Sequence, residues 1–263
     1  MAKLVFKGRY RKLFIGLLIV GIYYWAVSGT GTNPVNFIEG IPFMVDFVSR
    51  MFPPDISNLG KFLLKTLETL QMAIVGSTLG ALIALPLSFL AARNVMPNKF
   101  VYHAVRGIFD TCRGINEIVW GLIFVSMVGL GPFPGVLALA AHVTGALGRY
   151  FSEAIETVDS EIIKAIVSTG ANKFQVIVRG ILPQVKPLFI NYVFYYLENN
   201  FRAATVLGLV GAGGIGMELI TSMRLFRNQE VLTILIIMVL GVVAIDRFSA
   251  YVRKKIIRIE RLE

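Results

Sequence analysis

Long apolar runs, interrupted by one long polar island, restrict the fold of this chain more than any other feature. The runs cover residues 13–28, 62–92, 114–130, 136–150, 188–209 and 231–251. Inside a bilayer the backbone must satisfy its own hydrogen bonds, which leaves only helices and closed barrels. A barrel strand needs about ten residues, and these runs are longer, so helices are expected. Composition agrees, with 56% hydrophobic and 16% charged residues, whereas soluble domains carry about 25% charged residues. The expected fold class is an all-α integral membrane protein with about six transmembrane helices.

The placement of basic residues orients the runs. Six spans put both termini on one side, and 20 of the 26 Lys and Arg residues then fall on that side. They lie in the N-terminal tail (Lys3, Lys7, Arg9, Arg11, Lys12), in residues 93–113 and 149–186, and from Arg247 onward. The positive-inside rule makes that side cytoplasmic. The net charge of +10 thus needs no nucleic acid as partner. Aromatic residues Tyr23, Tyr24 and Trp25 close the first run at the outer interface. The start is basic and apolar without a small-residue cleavage site, which reads as a retained span. One cysteine, Cys112, and two histidines give neither an internal disulfide nor a Cys/His metal site.

The chain divides on this reading into residues 1–60, a first span plus an outer surface segment, and residues 61–263, the core. Residues 37–52 carry apolar side chains at helical spacing and are expected to lie on the outer surface. In the second run Pro86 is expected to kink the helix, and Gly76 and Gly80 form a small-xxx-small pair for close helix approach. A basic amphipathic segment, residues 98–113, leads into the third run, and the turn Gly131-Pro132-Phe133-Pro134-Gly135 returns the chain.

The polar island, residues 151–187, is too long and too patterned to be a plain connection. It carries helical periodicity and charges of both signs, and it is punctuated by Gly170 and Pro183. A short helix ending near Thr169 can be closed by Gly170 in the left-handed region. Ala171 then permits close approach, Asn172 can cap the next helix, and Pro183 is expected to mark the bend back into the bilayer. Such a helix–Gly–helix knob reads as a docking module for another protein.

Within the island, Lys164-Ala165-Ile166, three residues, Gly170, nine residues and Gly180-Ile181-Leu182-Pro183 follow one another. The pattern resembles the cytoplasmic signature loop of ABC-importer permeases: Glu-Ala-Ala, three residues, Gly, nine residues, Ile-x-Leu-Pro. Ala165, Gly170, Leu182 and Pro183 fit it, while Lys164, Ile166 and Gly180 depart. Four further blocks are similar to the phosphonate-transport permease family: residues 66–70, residues 113–117, Glu153-Ala154-Ile155-Glu156 and residues 204–216. The resemblance implies a type I importer membrane fold with a coupling-helix loop that contains Glu153, Glu156, Lys164, Ala165, Gly170, Ala171 and Pro183. It also implies a second copy of the chain, a cytoplasmic ATPase dimer that uses ATP and Mg, and an extracytoplasmic phosphonate-binding protein. No cofactor is expected on this chain.

Ionisable side chains inside spans are costly and point to function. Glu198 and Arg202, four apart in the fifth run beside Asn199 and Asn200, share a helix face. Arg113 and Glu117 repeat the spacing in the third, with Asn116 between them. Each pair can simply neutralise itself. Alternatively, Arg202, with Arg113, can offer a guanidinium to a passing oxyanion. His142 in the fourth run is a packing residue or a pathway residue.

Gly211-Ala212-Gly213-Gly214-Ile215-Gly216 matches the dinucleotide fingerprint, but no βαβ pattern surrounds it. These glycines are expected to form a tight turn or an outer gate. No G-x-x-x-x-G-K-[ST] occurs in the chain, so ATP hydrolysis falls to a partner. The reading is a membrane permease subunit of an ATP-driven phosphonate importer. The alternatives are an importer of phosphite or another small phosphorus oxyanion, an intramembrane enzyme, or a stand-alone channel.

Overall fold

The computed structural model describes residues 2–31 and 34–260, and every regular element there is helical. The side chains of Lys3, Lys7, Arg9, Arg11, Arg258 and Arg261, used in the orientation count, lie outside the described ones. The chain forms two units, Met1–Phe52 and Pro53–Glu263.

The first unit holds α1 (Ala2–Gly29) and α2 (Pro34–Ser49). The 28 residues of α1 rise about 42 Å at 1.5 Å per residue, and its apolar stretch is Phe14–Gly29. Leu17, Val20 and Trp25 are exposed, as lipid-facing side chains are. Pro34 opens α2 and Pro42 lies within it. Phe37 and Phe43 are exposed.

The second unit is built on α3 (Leu59–Leu90), α4 (Lys99–Gly114), α5 (Glu117–Val128) and α6 (Pro132–Glu156). It continues through α7 (Ser160–Ser168), α8 (Lys173–Val176), α9 (Leu182–Leu207), α10 (Gly214–Arg224) and α11 (Asn228–Glu260). A π-helical turn, Ile177–Ile181, joins α8 to α9. Helices α3 and α11 are each long and apolar enough to cross a membrane. Two bent pairs pass the same length and composition test together: α4 with α5, and the stretch Lys173–Val210 with α10.

Helix α6 is the centre of this unit, packed by α3, α4, α5 and α9. At Gly80 a Cβ would stand 2.6 Å from Val143 Cγ1, and at Gly76 one would stand 2.7 Å from Leu139 Cβ. The small-xxx-small pair on α3 therefore seats α6, as expected. Neighbouring helices take the place of lipid around α6, so it can be rich in Gly and Ala and still be stable. One core cluster joins Ala84, Val143, Leu147, Phe151 and Ile155 to Ile181, Val185 and Phe189. Phe151 and Phe189 stack with ring centroids 4.1 Å apart. A second cluster gathers Met72, Leu139, Ala204 and Leu207.

Four details refine the sequence reading. The third run is not a straight span. Its helix α5 has 12 residues, about 18 Å against a core of about 30 Å, and it meets α4 at 90°. Helix α3 is helical on both sides of Pro86. Helical structure is likewise continuous past Pro183, from α8 through the π turn into α9. A proline lacks the N–H that would continue the ladder; here it sits in the first turn of α9, and Gln184 Nε2 donates to Gly180 O at 2.7 Å. Finally, α10 starts within the expected glycine turn, at Gly214, and continues to Arg224.

Candidate functional site

The charges in the fifth run form a larger cluster than the sequence pair. Arg202 and Glu198 pair on α9, one turn apart. Arg202 Nη2 also reaches Asp246 Oδ1 of α11 at 3.2 Å, and Arg253 Nη2 reaches Glu198 Oε2 at 3.4 Å. Positive and negative groups thus alternate across the seam between α9 and α11. The Arg202 side chain is shared by two carboxylates and remains 48% exposed in the single chain. Asp246 and Arg253 were not among the sequence candidates. An aspartate inside the apolar run of residues 231–251 was the available signal. Asn199 is half-buried beside this cluster. Its neighbour Asn200 is fully buried and donates from Nδ2 to Ser77 Oγ at 2.7 Å.

The second expected pair, Arg113 with Glu117, does not form. The helix ends at Gly114 and restarts at Glu117, so the four-residue spacing no longer places the two on one face. Arg113 pairs with Asp110 at 3.3 Å. Glu117 faces His142 Nε2 at 3.2 Å. Asn116 caps α5, accepting from Ile118 N at 2.9 Å. His142 Nδ1 lies 3.3 Å from Ile115 O. His142 therefore bridges α6 to the break between α4 and α5. Trp120 reinforces that corner, donating from Nε1 to Cys112 O at 3.1 Å.

The island folds as the helix–Gly–helix pattern predicts. Asp159 caps α7 through Glu161 N at 2.9 Å. Gly170 follows the C-cap Thr169 with φ of +80°. Asn172 opens α8 with a reciprocal capping box to Gln175, both bonds 2.9 Å. No residue of α7 is buried, and Ile162, Val167 and Phe174 are exposed apolar groups on the knob. Ala165 is exposed and Ala171 half-buried. Lys164 pairs with Glu161 at 2.8 Å, both side chains mostly solvated. Glu153 and Glu156 belong to the last turns of α6, and their polar partners lie outside the knob. Glu153 pairs with Arg149 at 2.7 Å. Glu156 accepts from Arg106 Nη2 at 2.9 Å and from Arg93 N at 2.7 Å, tying α6 to the α3–α4 connection.

The glycine turn is clamped from a distance. Gly211, Gly213 and Gly214 have φ of +91°, +76° and +69°, a region open to glycine at no steric cost. Gly214 N donates to Glu68 Oε1 at 2.9 Å and Ile215 N donates to Thr69 Oγ1 at 2.8 Å. Two side chains of α3 thus cap the start of α10. Gly216 lies directly on the Thr205 carbonyl at the end of α9, where a Cβ has no room. Sequence reasoning placed residues 66–70 in a family block without foreseeing this contact.

Comparisons with known proteins agree with this architecture. A family model described as "Binding-protein-dependent transport system inner membrane component" matches residues 84–258. The chain is 38% identical over 248 residues to the phosphite transport system permease protein PtxC of Stutzerimonas stutzeri, covering 94% of this chain and 90% of that one. It is 43% identical over 122 residues to the putative cryptic phosphonate transport system permease protein PhnE2 of Escherichia coli (strain K12), which is 46% of this chain and 100% of that one. Among solved structures, an inward-facing MetNI methionine ABC transporter matches with a TM-score of 0.66 at 22% identity, over 74% of this chain and 95% of that chain. That level of identity carries the fold alone. The chain belongs to the family of binding-protein-dependent transport system inner membrane components, as an ABC-importer permease subunit.

Proposed function

We propose that this permease forms the pathway of an ATP-driven importer for phosphonates, with two copies of the chain around one pathway. A cytoplasmic ATPase dimer supplies ATP and Mg chemistry and an extracytoplasmic protein delivers the substrate, while this chain itself binds no cofactor. Both termini are cytoplasmic on this reading. The observation that carries the anion reading is Arg202, a guanidinium within a span, shared by Glu198 and Asp246 and still half-exposed. A planar fork of donors suits a phosphorus oxyanion, and partial neutralisation keeps binding weak enough for release. Asn199 flanks this group, and Arg113, Asn116, Glu117 and His142 line the pathway where α4 meets α5.

The knob is the coupling element. Lys164, Ala165, Gly170 and Ala171 form its docking face, Glu153 and Glu156 lie in the last turns of α6 that lead into it, and Pro183 starts the helix that carries the motion. Helical structure is continuous from Lys173 to Leu207, so a tilt of the knob swings the Arg202 cluster. At the other end of that helix, Gly211, Gly213, Gly214 and Gly216 form the outer gate, held by Glu68 and Thr69.

Phosphite is the second reading, favoured by the name of the relative that shares 38% identity across nearly the whole chain. Competition for ATP-driven uptake by methylphosphonate, phosphite and phosphate separates the two. Phosphonate uptake blocked only by phosphonates supports the first reading, and preferential block by phosphite supports the second. Indifference to all three removes the phosphorus-oxyanion class.

A further inference from the structure

We propose that a cavity at the start of α4 binds a phosphate-bearing anion, separately from the transport pathway. The cavity has a volume of about 480 Å³ and is lined by Arg93, Met96, Pro97, Lys99, Tyr102 and His103. It lies at the end of the unit where α3 finishes and α6 leads into the knob. Three of its six lining residues can carry positive charge, and no carboxylate lines it.

The nearest acid is already engaged. Glu156 holds Arg106 at 2.9 Å and accepts the backbone N–H of Arg93 at 2.7 Å. Two guanidinium groups lie over the Tyr102 ring, Arg106 at 4.5 Å and Arg93 at 5.7 Å from its centroid. Glu156 neutralises the first; among the described residues no carboxylate pairs with Arg93, Lys99 or His103. His103 packs edge-on against Tyr102 at 4.9 Å. The buried tyrosine thus contacts both Arg93 and His103, which line a concave site with no paired carboxylate. An arginine fork with a lysine beside it suits phosphate geometry.

The surface of α4 indicates which phosphate compounds can reach the site. Tyr102, Val105 and Phe109 face the core. Lys99, His103, Arg106, Asp110 and Arg113 follow one polar stripe. Phe100, 81% exposed, and Ile108, 54% exposed, mark an apolar stripe open to the surroundings. A basic pocket beside exposed apolar side chains fits a phospholipid, with its head group in the pocket and its chains along α4. A free phosphate monoanion or dianion shares the head-group chemistry.

The test uses the full-length chain in detergent micelles, with two arms. Native mass spectrometry counts retained phosphatidylglycerol against phosphatidylcholine, and calorimetry titrates inorganic phosphate against chloride. The proposal expects phosphatidylglycerol or inorganic phosphate to bind, and Arg93→Gln with Lys99→Gln to weaken that binding at least tenfold. The charge-keeping pair Arg93→Lys with Lys99→Arg should retain it, and unchanged melting should show that the fold is intact. Loss in the lipid arm identifies a membrane lipid, and loss in the phosphate arm alone identifies a soluble anion. Equal binding by the wild type and the neutral variant overturns the site. So does a neutral variant that keeps its ligand but no longer captures an ATPase subunit, since the cations then serve protein docking. Because the substitutions lie outside the Arg202 cluster, phosphate binding that survives them but is lost in Arg202→Gln belongs to the pathway.

Discussion

Ile166 of α7 lies over Gly180 of the π turn, so closely that a Cβ at Gly180 would stand 2.8 Å from Ile166 Cδ1. These are two of the three positions where the loop departs from the importer signature, which has Ala where Ile166 stands and Ile where Gly180 stands. The volumes are exchanged across one contact, so the knob keeps its packing while its sequence changes. Gly180→Ile should overpack this contact by about 1–3 kcal/mol and lower substrate-stimulated ATPase activity in the assembled importer. Adding Ile166→Ala should restore it. A double variant as impaired as the single one would show that the two side chains do not compensate.

Gly170 closes α7 at a φ of +80°, where a β-branched residue is strained by about 1–2 kcal/mol. Gly170→Val should distort the knob and uncouple ATP hydrolysis from uptake, leaving the transmembrane helices folded. The ratio of ATP hydrolysed to substrate moved checks this, and an unchanged ratio would remove the coupling role.

At the far end of the second unit, the Glu68 carboxylate is the partner of Gly214 N. Glu68→Ala leaves that donor without a protein partner, at a cost of about 1–3 kcal/mol where the site is buried. Amide exchange at Gly214 and Ile215 should accelerate, and Thr69→Val should add to the effect. Unchanged exchange in Glu68→Ala would mean that the glycine turn holds its shape unaided.

The charge cluster predicts effects of opposite sign. Arg202→Gln should abolish or strongly reduce uptake while the protein still assembles. Asp246→Asn removes one of the two carboxylates that share Arg202 and should tighten the pathway's grip on the anion, lowering the KM for uptake. Equal loss in both variants would reduce the cluster to a structural ion pair.

Much of this molecule was legible because its signals are local. The Gly170 cap, the Asn172 capping box and the Glu198–Arg202 pair lie within one or two helical turns, where sequence spacing fixes geometry. The Gly76 and Gly80 seat was legible because a helix face without side chains can only invite close packing. What failed depended on where helices begin, end and meet. Arg113 and Glu117 have the right spacing, but a break at residues 115–116 directs them to Asp110 and His142. Asp246 and Glu68 reach partners 44 and 146 residues away, and nothing in a linear pattern reports such contacts. Helix α10 was hidden by its own glycines, which read as a turn until the clamp from α3 is seen.

The most direct test of the central claim is uptake into proteoliposomes that hold this permease, its ATPase and its binding protein, with radiolabelled methylphosphonate or phosphite outside. Accumulation above the external concentration should require ATP and be lost in Arg202→Gln. Equilibration without the ATPase, or accumulation unaffected by Arg202→Gln, would contradict it.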